Sequence, residues 1–135
     1  MHIRTAEEAD VSAILALAHT TPWDKDEYLR HQIGRGHVEV ACEDASVVAF
    51  IAWNAEFFSK PFVWLVIVRP DRREQGIASR LFAAVEAQCA GLRLYSSTNR
   101  SNDAMQRLFQ RRGYRRAGEL DLDPGDPEVF YCIDL

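Results

Sequence analysis

The sequence predicts an α/β domain built on a mixed, largely antiparallel sheet of about seven strands, flanked by about four helices. Three observations carry this expectation. Strand-length apolar runs and stretches of helical spacing follow the order β-α-α-β-β-β-α-β-α-β-β. The middle of that order is a strand–loop–helix–strand crossover, which pairs its two strands in parallel. The length, 135 residues, suits a single domain over 1–135 with a core of its own.

The elements follow in chain order. His2-Ile3-Arg4-Thr5 reads as a short first strand. Val11, Ile14, Leu15 and Ala18 recur at helical spacing, with Asp10 as N-cap, and Thr21-Pro22 breaks that helix. A second helix is expected over about Asp24 to Ile33, ended by Gly34 and Gly36. His37–Glu43 and Ser46–Ala55, joined by Glu43-Asp44-Ala45, read as an antiparallel hairpin. Lys60–Val68 is apolar almost throughout, as in a strand buried on both faces. Gly76–Cys89 is expected to be helical, with Ile77, Leu81, Ala84 and Val85 inward and Gly91 as its stop. Leu92–Thr98 is a strand, and Asn102–Arg112 a helix with Met105, Leu108 and Phe109 inward. Tyr114–Leu120 and Val129–Ile133 are the last strands, separated by the breaker-rich Asp123-Pro124-Gly125-Asp126-Pro127.

Composition bounds the function classes. With 47% hydrophobic and 10% aromatic residues, the chain can bury enough surface to offset the entropy of ordering, so disorder is excluded as its main state. The longest apolar run, Phe62–Val68, is strand-sized and far short of the ~20 residues of a membrane helix, and the first residues lack the pattern of a secretion signal. The expected compartment is the cytoplasm. Cys42, Cys89 and Cys132 are scattered and odd in number, and His19, His31 and His37 lack metal-ligand spacing, so no metal and no disulfide framework is expected. The net charge of −4 is unevenly spread. Residues 1–68 carry five basic and ten acidic side chains, 69–116 eleven and four, and 117–135 none and six. A basic middle between acidic ends suits an anionic ligand held centrally, although most of those arginines read as solvated helix faces. Nucleic-acid binding is not expected, because the arginines at 107–116 lack interleaved exposed aromatics.

The segment richest in chemistry is Val66-Ile67-Val68-Arg69-Pro70-Asp71-Arg72-Arg73-Glu74-Gln75-Gly76-Ile77-Ala78-Ser79. An apolar strand enters a short loop that opens a helix at a glycine and a small residue. Free amides at such a helix start, with the helix dipole behind them, form an anion site made from main chain. Arg72 and Arg73 add positive charge, and a pyrophosphate would fit. Neither a P-loop lysine nor a dinucleotide glycine fingerprint is present.

Val68-Arg69-Pro70 followed by Arg73-Glu74-Gln75-Gly76-Ile77-Ala78 resembles the acyl-CoA signature of the GNAT N-acetyltransferases. The order of elements is similar along nearly the whole chain. A second stretch, from Asn102 through Leu108-Phe109 to Gly113-Tyr114, resembles that family's Asn…Leu-Tyr…Gly-Phe pattern. The resemblance implies a GNAT-like sheet with a splayed parallel pair and acetyl-CoA as cofactor. It implies that the backbone of Val66, Ile67 and Val68 pairs with the pantetheine arm, that the amides from Arg73 through Glu74, Gln75, Gly76, Ile77 and Ala78 to Ser79 hold the pyrophosphate, that Asn102 contacts the arm, and that Phe109 belongs to the cofactor-binding residues. It further implies direct attack of a primary amine on the thioester, with a main-chain N–H of Val66 or Val68 as oxyanion donor.

One departure stands out. The family often has Tyr where this chain has Phe109, which cannot protonate a departing thiolate. Water, or a hydroxyl from Tyr131, Tyr95 or Ser97, would have to serve; otherwise the protein is an acyl-CoA sensor with little turnover. No carboxylate lies in Lys60-Pro61-Phe62-Val63-Trp64, so Glu56, Glu119 and Asp121 are the nearest candidate bases. Trp23, Trp53 and Phe57 are the expected wall of the acceptor cleft, and Trp64 is expected in the core. The acidic tail (Glu119, Asp121, Asp123, Asp126, Glu128) suits either attraction of a cationic amine or protection of a strand edge. A small-molecule amine is the expected acceptor, a protein or peptide the alternative, and a homodimer is compatible with the sequence.

Overall fold

The computed structural model of the chain, with residues 1–135 described, contains seven strands and four α-helices. They are β1 (His2–Thr5), α1 (Val11–Ala18), α2 (Asp26–Gly34), β2 (Val38–Glu43), β3 (Ser46–Phe57), β4 (Lys60–Val68), α3 (Ile77–Gln88), β5 (Arg93–Asn99), α4 (Asp103–Arg111), β6 (Arg115–Leu120) and β7 (Glu128–Asp134). One sheet runs in the order β1-β2-β3-β4-β5-β7-β6. Every neighbouring pair is antiparallel except β4–β5. No helix is long and apolar enough to cross a membrane, and no group of three or more His, Cys, Asp or Glu could hold a metal ion.

The helices divide between the two faces. Ile14, Leu15, Leu29 and Ile33 of α1 and α2 bury against Val38, Val40, Phe50 and Ile67. Leu81, Phe82, Val85 and Phe109 of α3 and α4 bury against Ile51, Val63, Leu94 and Tyr131 on the other face. Phe82 takes the inward place expected of Ala84, which is half-buried. All three cysteines are free and buried.

Three local differences from the sequence expectation have physical causes. Asp10 stands at the N-cap of α1, yet its side chain makes no capping bond. Its carboxylate instead accepts two bonds from Arg4, at 2.7 and 2.9 Å, and one from the Glu7 amide at 2.8 Å. A bidentate guanidinium outcompetes a single backbone amide. The β3 strand runs on to Phe57, because Phe57 pairs with Lys60 and closes a tight hairpin on Phe58-Ser59, both at positive φ.

The third difference shapes the site. In the β3–β4 ladder Ala52 pairs with Leu65 and Trp53 with Val63, so Trp64 is an extra residue without a partner. This is a β-bulge, which bends its strand and interrupts pairing. On the other side, β4 pairs with β5 only at Phe62–Tyr95 and Val63–Ser96. Beyond the bulge the two parallel strands part. The β4 strand is therefore not buried on both faces along its length: Trp64 is 43% exposed, and Leu65, Val66 and Val68 are half-buried.

Candidate active site

A cleft of about 230 Å³ opens where β4 and β5 separate. Val63 to Ile67 form one wall and Ser96 to Asn99 the other. Asn102 and Met105 of α4, Thr21 and Trp23 of the α1–α2 loop, and Glu128 of β7 complete it. From Trp64 onward, β4 is hydrogen-bonded to β3 alone, so its backbone groups on the β5 side are left for a ligand. The pair Ser96 Oγ–Val63 carbonyl, at 3.0 Å, marks the point where the strands diverge.

The start of α3 lies directly after β4 and its loop. Its N-cap, Gly76, is left-handed at φ 78° and provides no side-chain cap. Glu74, at φ 63°, is also left-handed, a conformation unfavourable for a side-chain-bearing residue. Two such residues in one tight loop, followed by uncapped helix amides, make a main-chain anion cradle. A side chain built at Gly76 would meet nothing within 4 Å, so the approach to the amides is open. These features fit a diphosphate with an extended arm running along residues 66–68.

The arginines around the cradle divide. Arg72 is ion-paired with Glu43 and Arg69 with Asp71, at 2.6 Å, so neither adds the free charge expected of Arg72. Arg73 remains outside any ion pair, its Nε 3.4 Å from the Val68 carbonyl. The Ser79 hydroxyl accepts from Arg112 at 2.7 Å. Arg112 and the Tyr114 hydroxyl both bond Glu86, which holds α3 against the strand that follows α4.

Glu128, placed by the sequence only in a general acidic tail, is the carboxylate that lines the cleft. It is half-buried, and burial raises its carboxyl above the usual carboxylate range. The Ser97 hydroxyl donates to it at 3.0 Å and opposes that rise, while Asp123 and Asp126 reinforce it. No arginine or lysine is paired with it. A carboxylate so placed is a stronger base than one in water.

The other expected residues lie elsewhere. Glu56 is exposed at the end of β3, bonded by Arg35 and Asn54. Glu119 lies on the edge strand β6 between Arg100 and Arg116. Asp121 is exposed and outside the cleft wall. Tyr131 is buried on the α4 side, its hydroxyl donating to Gln106 at 2.7 Å. Phe109, expected among the cofactor-binding residues, is fully buried and stacked on Tyr131 at 4.7 Å, outside the cleft wall. Of the three candidate hydroxyls, Ser97 alone lines the cleft. Asn102 does line it, while its side-chain oxygen caps α4 at the Met105 amide, 3.1 Å away.

Among the aromatics, Trp23 is 56% exposed and faces the cleft. Trp53 belongs to the core, packed on His37 at 4.5 Å, and Phe57 sits in an aromatic cluster beside the cleft rather than in its wall. Trp64, expected in the core, lines the cleft, its indole N–H held by Asn54 at 2.7 Å. The bulge explains Trp64, because the extra residue has no position in the alternation that buries its neighbours, whereas Trp53 keeps the inward face of Ile51.

A seven-stranded sheet parted at its single parallel pair, with an amide cradle at the next helix, is the architecture of an acetyltransferase domain. The chain belongs to the acetyltransferase (GNAT) family, whose family model matches residues 6–114. Among solved structures, a GNAT-family acetyltransferase from Bacillus cereus is 29% identical, superposes with a TM-score of 0.87 and covers 98% of this chain and 96% of its own. An N-acetyltransferase from Staphylococcus aureus is 25% identical with a TM-score of 0.81, over 98% of this chain and 97% of its own. The Salmonella typhimurium yncA protein, solved with acetyl-CoA, shares the fold at a TM-score of 0.82 with 20% identity, over 100% of this chain and 94% of its own. No curated protein matches the chain in sequence.

Proposed function

We propose that this protein is an acetyl-CoA-dependent N-acetyltransferase acting on a primary amine in a ternary complex. The observation that carries the reading is the opening of the β4–β5 pair beside the uncapped start of α3, with one unpaired carboxylate, Glu128, in the same cleft. The amides between Arg73 and Ser79 would hold the diphosphate. The free edge of residues 66–68 would hold the arm, and the Asn102 amide group would bond to it. Bound acetyl-CoA supplies a thioester whose carbonyl carbon is attacked by the amine and whose sulfur leaves as coenzyme thiol.

The chain's own contribution is positioning and proton transfer. The two strand walls hold both substrates in one cleft, which replaces a bimolecular encounter by an oriented one. A Val66 or Val68 amide donates to the developing oxyanion. The carboxylate of Glu128 accepts the proton that the amine loses. Ser97, hydrogen-bonded to Glu128, offers a route for returning a proton to the sulfur, in place of the hydroxyl that Phe109 lacks. The new C–N bond and the broken C–S bond balance with one proton moved from nitrogen to sulfur.

Calorimetry with CoA, and thiol release from acetyl-CoA over a panel of amines, test this reading. Saturable CoA binding with amine-dependent thiol release is the expected result. Binding without release for any amine favours the acyl-CoA sensor, which the buried Phe109 makes the specific alternative. Absence of CoA binding by the folded protein overturns both.

A further inference from the structure

Only half of the sheet is covered on the face that α1 and α2 occupy. Those helices pack on β2, β3 and β4, and no helix lies over β5 and β7 on that side. The register puts Tyr95, Ser97 and Asn99 of β5 on one face with Cys132, Phe130 and Glu128 of β7. Leu94, Val129 and Tyr131 point to the opposite, helix-covered face. The open face is aromatic. Phe57 lies at its hub, with ring centroids 5.5 Å from Tyr95, 5.8 Å from Phe130, where the rings stack, and 4.5 Å from Phe62. Trp64 joins Phe62 at 4.4 Å and belongs both to this shelf and to the cleft wall.

The shelf is continuous with the candidate base. Phe130 is two residues along β7 from Glu128, and Tyr95 two residues along β5 from Ser97. Phe130 also lies directly across the ladder from Ser97, and Tyr95 begins about 7 Å from Ser97 on the same face. The acidic loop beside them adds negative charge, since Asp123 and Asp126 meet only neutral donors and both act on Glu128. Asp126 is held by the Ser101 amide and hydroxyl, at 3.0 and 2.7 Å, and Asp123 lies 3.4 Å from the Asn99 amide nitrogen. Of these carboxylates, Glu128 is the one that lines the cleft and shares the face of the flat apolar surface.

We propose that the acceptor is a primary amine carrying an aromatic or similarly flat apolar body, its nitrogen at Glu128 and its ring on the shelf formed by Phe57, Tyr95 and Phe130. This rests on the N-acetyltransferase reading and names its acceptor class. A ring on such a surface gains stacking beyond plain burial. Phe57, Tyr95 and Phe130 are then specificity-determining residues that touch the acceptor and take no part in proton transfer.

The test measures thiol release from acetyl-CoA with phenethylamine, 3-phenylpropylamine, n-butylamine, n-hexylamine and spermidine. Expected is a kcat/KM about tenfold or more higher for the better aryl amine than for either alkylamine or spermidine. In Phe130→Leu that ratio should collapse to within about threefold, through KM rather than kcat, with CoA binding and the thermal transition as checks on folding. Turnover that favours spermidine or alkylamines overturns the acceptor class and leaves the enzyme reading intact, whereas no turnover at all removes both. Sedimentation supplies a second measurement: a stable dimer that persists in Phe58→Ala and dissociates in Phe130→Leu would show that a second copy covers the shelf, and would overturn the proposal even where the Leu variant turns over poorly.

Discussion

Replacing Gly76 by glutamate places a carboxylate at the mouth of the amide cradle. Its Cβ would project into open space, so no clash disturbs the fold. Two effects remain, and they are separable. The first is backbone strain, since a side-chain-bearing residue at φ 78° costs about 1–2 kcal/mol. The second is electrostatic. A carboxylate roughly 6 Å from a phosphate charge repels it by about 3 kcal/mol at an effective dielectric near 20, or about 100-fold in affinity before salt screening. Gly76→Ala carries the same strain without the charge. The expected pattern in calorimetry is a loss of about 100-fold in CoA affinity for the Glu variant and less than about tenfold for Ala, with similar thermal transitions. Pantetheine, which lacks the diphosphate, should bind both variants about as well as it binds wild type. A folded Glu variant with undiminished CoA affinity, or an equal loss toward pantetheine, would refute the cradle.

Two further outcomes follow from titratable groups. Glu128 must be ionised to accept a proton, so kcat/KM should rise with pH through a value above the usual carboxylate range, held there chiefly by burial. Glu128→Gln should lower kcat by about 10²–10³ and remove that limb while CoA affinity holds; a limb that persists in initial rates across pH would assign it to another group. Asp10→Ala should cost about 2 kcal/mol in urea unfolding at neutral pH, because Arg4 and the Glu7 amide lose a largely buried acceptor. Since Arg4 holds the Asp10 carboxyl below its ordinary value, this stability is full above the unfolded carboxylate's pKa and fades as pH falls through the folded one. An undiminished difference between wild type and variant in strong acid would contradict the assignment.

The parts of the site that sequence made legible are those written in contiguous residues. The strand, loop and helix start from Val66 to Ser79 are one local unit, and periodicity with a glycine at the turn suffices to place them. Asn102, opening its helix after a strand, is equally local. Glu128 was hidden because its position depends on β7 inserting antiparallel between β5 and β6, a register that no stretch of sequence displays. Trp64 left the core because it is the unpaired residue of β4, which a run of apolar residues does not reveal, and Trp53 joined it because it keeps the inward face of Ile51 although it stands near the end of the hairpin. Glu56 and Glu119 were plausible by proximity in the chain, yet each is engaged by arginines on the surface.

That unpaired residue has a consequence for how this chain makes room between its parallel strands. The groove between the two parallel strands begins at Trp64 not through any special chemistry of that side chain but because β4 carries there one residue that β3 does not pair. Excising that position would let Val63 and Leu65 follow one another against Trp53 and Ala52 with their present faces kept. The result would be a better-knit ladder with nothing to hold. Binding capacity here is a surplus of chain length, purchased with ladder continuity, and it would survive wide changes in side-chain identity provided the count is preserved.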